Sequence, residues 1–84
     1  LMIRSMADVD VFRVLAHPTR RAVLEQLASG EKTVTELNAS FDISQPAMSQ
    51  HLAALRDAGL VSERREGRHA YYRAEPDGVA PVVQ

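Results

Sequence analysis

Gln45, Ser49 and Gln50 lie within six residues of one another, and a run of arginines, Arg64, Arg65, Arg68 and Arg73, follows. A primary amide donates and accepts at once, so Gln50 can form paired hydrogen bonds with the edge of an adenine. Ser49 and Gln45 can bond a base edge or a phosphate, and Pro46 and Ala47 can touch a thymine methyl. Guanidinium groups match phosphate in charge and shape. The chemistry on offer is recognition of a nucleic acid. No glycine-rich phosphate loop, no nucleophile with a base at a telling spacing and no paired carboxylates on an apolar face suggest an enzyme.

These side chains are useful only if a helix presents them. Ser44 is a good N-cap residue, Gln45 and Pro46 suit the first turn, and Gly59 suits the stop. Placed on a wheel, Met48, Leu52 and Leu55 fall in one narrow arc at i, i+4 and i+7 spacing, which predicts the core-facing side. Pro46, Gln50, Ala53 and Asp57 fall opposite, flanked by Ser49 and Ala47. Small and amide-bearing residues there let the helix sit deep in a groove. Its N-terminus also offers free N–H groups to a phosphate. A polar face of this kind is usually just solvated; the turn before it and the arginine hairpin after it set this one apart. His51, at the edge of the buried arc, is expected to make a structural hydrogen bond rather than a base contact.

After Gly59, the stretches 61–65 and 69–73 flank Glu66-Gly67-Arg68, which reads as a hairpin connection. Alternation puts Arg64 and Arg65 on opposite faces. Arg68, at the tip beside Gly67, is the leading candidate to enter a minor groove or clamp phosphate. Tyr71 and Tyr72 also alternate, so one is expected on the core and the other partly exposed. The candidate DNA contacts are thus Ser44, Gln45, Pro46, Ala47, Ser49, Gln50, Arg64, Arg65 and Arg68.

Upstream, 8–16 reads as a short helix ended by His17-Pro18. A second helix runs from Pro18 to about Ser29, with an apolar stripe of Val23, Leu24, Leu27 and Ala28, and Gly30 stops it. Thr33 followed by Glu36 is a capping-box pattern opening a third helix, about Val34 to Ser40. Phe41-Asp42-Ile43 is a turn with two apolar anchors. Pro76 or Asp77 opens a last helical segment with Val79, Val82 and Val83 as its apolar residues. The expected fold is mainly α with a small β-hairpin, a winged helix-turn-helix of four helices, a two-stranded wing and a C-terminal helix. Residues 1–84 read as one domain, with 1–7 a flexible terminus and 77–84 the start of a C-terminal dimerisation helix.

The chain has 84 residues, no cysteine and a net charge of −1. Disulfides and thiolate metal sites are excluded, and a domain this small often needs a partner chain to stabilise it. The charge argues against a protein that coats nucleic acid indiscriminately. Its distribution is informative: residues 61–74 carry Arg64, Arg65, Arg68 and Arg73 against Glu63 and Glu66, a local excess of positive charge. The apolar runs are far too short for a membrane span and nothing reads as a signal peptide. The expected location is the cytoplasm.

The segments HPTRRAVLEQL (17–27), SQPAMSQHLAALRDAGLV (44–61) and REGRHAYYR (65–73), in this order and spacing, resemble the ArsR-type (ArsR/SmtB) winged-helix repressors of prokaryotes. The likeness runs from about Val11 to Arg73. It implies a homodimer paired through the first and last helices, here Val9, Phe12 and Leu15 with Val79, Val82 and Val83. It implies an inverted-repeat operator in double-stranded DNA, with one recognition helix per half-site. Gln45, Pro46, Ser49 and Gln50 match the family's base-contacting positions, and Arg68 matches the wing tip. Many members that sense metals carry a C-V-C pair on the third helix. Here the matching stretch is Thr33-Val34-Thr35, and the last segment offers only Asp77. His17, His51 and His69 share no helix with a second ligand at i+3 or i+4. The likeness is therefore to the metal-independent branch, with no cofactor; the signal there is a small molecule of unknown identity, a redox event elsewhere, or simply protein concentration. Two alternatives stay open: a winged-helix protein-interaction module without specific DNA binding, and a metal-sensing repressor whose ligands lie outside this chain.

Overall fold

A computed structural model describes the backbone of residues 6–75 and the side chains of residues 11–75. The elements are α1 (Met6–Leu15), α2 (Pro18–Ala28), β1 (Lys32–Thr33), α3 (Val34–Ala39), α4 (Gln45–Asp57), β2 (Val61–Glu66) and β3 (His69–Ala74). Helix α1 begins at Met6, so Met6 and Ala7 are helical rather than part of a flexible terminus. The expected last helix, with Val79, Val82 and Val83, lies outside the described residues, and so does the side chain of Val9.

The wing hairpin is β2 and β3, and a third, two-residue strand that the sequence did not announce joins the sheet beside it. Strand β1 pairs antiparallel with β3 (Lys32 with Tyr72, Thr33 with Tyr71), giving the order β1-β3-β2. Two residues carry no alternation to read, so β1 exists only through its long-range partner. Register places Glu66 opposite His69, leaving Gly67 and Arg68 as a two-residue turn. Gly67 has φ 63° and Arg68 a negative φ, the sign pattern of a type II′ hairpin turn.

The core forms where α2, α3, α4 and the sheet meet. Val23, Leu27, Leu37, Met48, Leu52, Leu55, Leu60, Val61 and Tyr72 are buried. The α4 arc of Met48, Leu52 and Leu55 is fully inside, as the 3.6-residue period requires. Tyr72 joins the core and Tyr71 stays half-buried. In α2 the buried stripe is Val23 and Leu27, with Leu24 half-buried; Ala28, the last residue of the helix, is exposed.

Local bonds set the ends of the two helices of the helix-turn-helix. Thr33 Oγ1 accepts from Glu36 N at 3.1 Å, and the Glu36 carboxylate accepts from Thr33 N at 2.8 Å, completing the capping box of α3. Asn38 donates to the Ile43 carbonyl at 2.8 Å and braces the turn into α4. At the far end, Leu60 N donates to Leu55 O and Gly59 N to Arg56 O, both at 2.9 Å, a Schellman closure with Gly59 at φ 78°. No heavy atom lies within 4 Å of a Cβ built on Gly59. Gly59→Ala is therefore expected to cost only the left-handed backbone penalty, about 1–2 kcal/mol. Urea unfolding checks this, and a loss no larger than that of an average surface substitution would show the closure is not what holds the turn.

Candidate nucleic-acid interface

Ser44 caps α4, its hydroxyl accepting from Ala47 N at 3.2 Å. It is thereby committed to the helix, leaving its backbone environment rather than its side chain to face a ligand. Gln45, Pro46, Ser49 and Gln50 are exposed along one side and Ala47 is half-buried beside them. Among the described residues, the side chains of Gln45, Ser49 and Gln50 form no hydrogen bonds, so their donors and acceptors face solvent.

The hairpin returns to this helix. Gln45, Arg68, His69, Ala70 and the stretch Thr33 to Thr35 line one cleft of about 170 Å³. Arg68, on the turn, is exposed and has no ion-pair partner among the described residues. The helix N-terminus and the wing tip thus belong to one continuous surface.

The other wing arginines are differently placed. Arg64 forks onto Glu31, with Nη2 to Oε1 at 2.7 Å and Nε to Oε2 at 3.2 Å, and also reaches Glu66. Its guanidinium carbon lies 4.5 Å from the centre of the Tyr71 ring. The hydrogen bond from Arg64 holds the Glu31 carboxyl below its usual range and pushes the guanidinium still higher. Arg64 is thus occupied in tying the loop before β1 to the wing. Arg65 meets Glu63 at 3.2 Å but is 78% exposed, so solvent leaves that pair weak. Arg73 meets Glu75, also at 3.2 Å.

His51 makes the expected structural hydrogen bond, and its partner is one that spacing could not announce. Arg20 Nε donates to His51 Nδ1 at 3.2 Å, across 31 residues of sequence. The ring of His17 stands edge-on to His51 with centroids 4.8 Å apart. Burial, then the charges of His17 and Arg20, push His51 below the ordinary imidazole range, which keeps Nδ1 free to accept.

A helix with an exposed amide face, closed by a glycine and followed by a hairpin that folds back beside it, matches a known family pattern. Residues 17–63 fit the model of the bacterial regulatory proteins of the arsR family. The chain belongs to the arsR family. It is 43% identical over 74 residues to the biofilm growth-associated repressor of Agrobacterium fabrum, covering 88% of this chain and 63% of that one. It is 46% identical over 68 residues to an arsenic resistance transcriptional regulator of Pseudomonas putida, covering 80% and 53%. The chain therefore spans between half and two thirds of the length of these two arsR-family relatives. A crystal structure of a possible transcriptional regulator for arsenical resistance superposes with a TM-score of 0.80 at 50% identity, over 83% of this chain and 73% of that one. The family model and these relatives are of transcriptional regulators, not enzymes. No helix among the described residues is long and apolar enough to cross a membrane.

Proposed function

We propose that this chain is the DNA-reading part of a dimeric transcriptional repressor that occupies an inverted-repeat operator. The observation that carries the reading is the shared cleft of Gln45 and Arg68, which joins the exposed face of α4 to the wing tip. In this reading α4 enters the major groove. Gln45, Ser49 and Gln50 read base edges, and Pro46 and Ala47 meet thymine methyls. The Ser44-capped end of α4 faces a phosphate. Arg68 grips the backbone or the adjacent minor groove. Arg65 adds a weaker phosphate contact, and Arg64 contributes only by exchanging Glu31 for phosphate. A relative named as a repressor supports repression.

Phe12, 59% exposed on α1, supports pairing of two chains through Val9, Phe12, Leu15 and the segment holding Val79, Val82 and Val83. The protein acts in the cytoplasm and responds to a small-molecule effector rather than to a metal held by the described residues. Thr33, the first residue of the stretch where metal-sensing relatives carry thiolates, spends its hydroxyl on the capping box with Glu36. Selection of bound sequences from a random duplex library at near-physiological salt tests the whole reading. A two-fold symmetric motif with half-sites about one helical turn apart is expected.

Arg68→Ala should weaken every sequence alike and lower the slope of log affinity against log salt by about 0.9 per bound chain. Anisotropy titrations at several salt concentrations read that slope directly, and an unchanged slope removes Arg68 from the interface. A second reading, a protein-interaction module without specific DNA binding, draws on the glutamate partners of Arg64, Arg65 and Arg73. No recovered motif, with binding that vanishes as salt rises, would favour it.

A further inference from the structure

Arg56, Arg64, Arg65 and Arg73 each face a glutamate. Arg20 does not. Its Nε–H goes to His51, and its two Nη groups have no partner among the described residues. The groups packed around it, His17 and His51, are basic. His17 is also the N-cap of α2 and makes no capping hydrogen bond with its side chain, so the partial positive charge of the helix start adds to the cluster. A guanidinium kept without a counter-charge, beside two imidazoles and a helix start, is a place that suits an anion.

Position says which anion. Successive helix residues are about 100° apart. His51 lies about 100° round α4 from Gln50 in one sense, while Gln45 lies about 140° from Gln50 in the other. Gln45 shares its cleft with Arg68. Arg20 and Arg68 therefore flank the exposed face of α4 on opposite sides. A helix seated in a major groove has a phosphate backbone along each border, so the two arginines correspond to the two borders.

We infer that Arg20, oriented by His51, is a second phosphate contact that grips the DNA backbone on the flank of α4 away from the wing. This rests on the DNA-binding reading above. His51 is a positioning residue: its Nδ1 accepts from Arg20 Nε at 3.2 Å and leaves the two Nη groups uncommitted for a phosphate. Arg20 lies in the family-like segment 17–27, but nothing in the chain shows that it meets His51; only the fold brings it to α4.

Arg20→Gln separates charge from structure, because the glutamine amide can still donate to His51 while the charge is gone. Binding of parent and variant to a mixed-sequence DNA duplex is measured by anisotropy across a salt series, with thermal melts alongside. Arg20→Gln is expected to lower the salt slope by about 0.9 per bound chain, and Arg20→Lys to restore most of it. A merely structural Arg20 would leave the slope of Arg20→Gln at the parent value, which overturns the inference. If Arg20→Gln does not fold, phosphate ethylation interference on the parent decides instead. Interference on both borders of the major groove is expected, and interference confined to one border overturns it. A parent that binds no duplex at all overturns the DNA-binding reading, and this contact with it; a parent that binds beside a variant of equal slope overturns this contact alone.

Discussion

Leu52→Ala is expected to leave much of the protein unfolded under mild conditions. Leu52 is fully buried at the centre of α4, between Met48 and Leu55, where α4 meets the core. Truncating such a leucine removes its transfer energy and leaves a cavity, together about 2–5 kcal/mol. A domain of this length holds only about 4–13 kcal/mol in all, at roughly 0.05–0.15 kcal/mol per residue. The loss is therefore a large fraction of the total. Urea unfolding followed by far-ultraviolet circular dichroism measures it. A shift below about 1 kcal/mol would mean that neighbouring side chains collapse into the space, and that α4 is held by something other than this arc.

Gln50→Ala is expected to do the reverse, leaving the melt unchanged while relaxing sequence choice. Gln50 is exposed, about 160° round the helix from Leu52, and makes no contact that folding needs. A glutamine that pairs with an adenine edge contributes about 1–3 kcal/mol of discrimination at one base position, roughly 5- to 150-fold. The parent and Gln50→Ala should be titrated against a selected operator and its single-base variants. Loss of preference at one position per half-site is the expected result. If Gln50→Ala ranks every operator variant as the parent does, α4 is not read through this residue.

The helices were legible because their signals are local. Ser44, Thr33 with Glu36, and Gly59 mark ends within one turn, and each mark corresponds to an observed cap or closure. The buried arc of α4 follows from a period that three leucine and methionine positions already display. The exposed amide face follows by subtraction. What escaped depends on distant pairs. Lys32 and Thr33 become a strand only because Tyr71 and Tyr72 come alongside. Arg64 looks in the sequence like a free cation, and in the fold Glu31, 33 residues away, takes its donors. Arg20 looks like one more surface arginine on α2, and in the fold it reaches His51. Charge along the chain is readable; which charges neutralise one another is decided by tertiary structure.

Thr33 serves two masters: it is the last residue of β1, matched to Tyr71 on the wing, and the N-cap of α3. The Arg64 fork onto Glu31 fastens the same corner from outside. No slack joint separates the hairpin from the helices beside it, so torque applied to one is delivered to the other. In the dimeric reading proposed above, a signal that releases the protein from DNA would act by changing the angle or the distance at which two such heads are held.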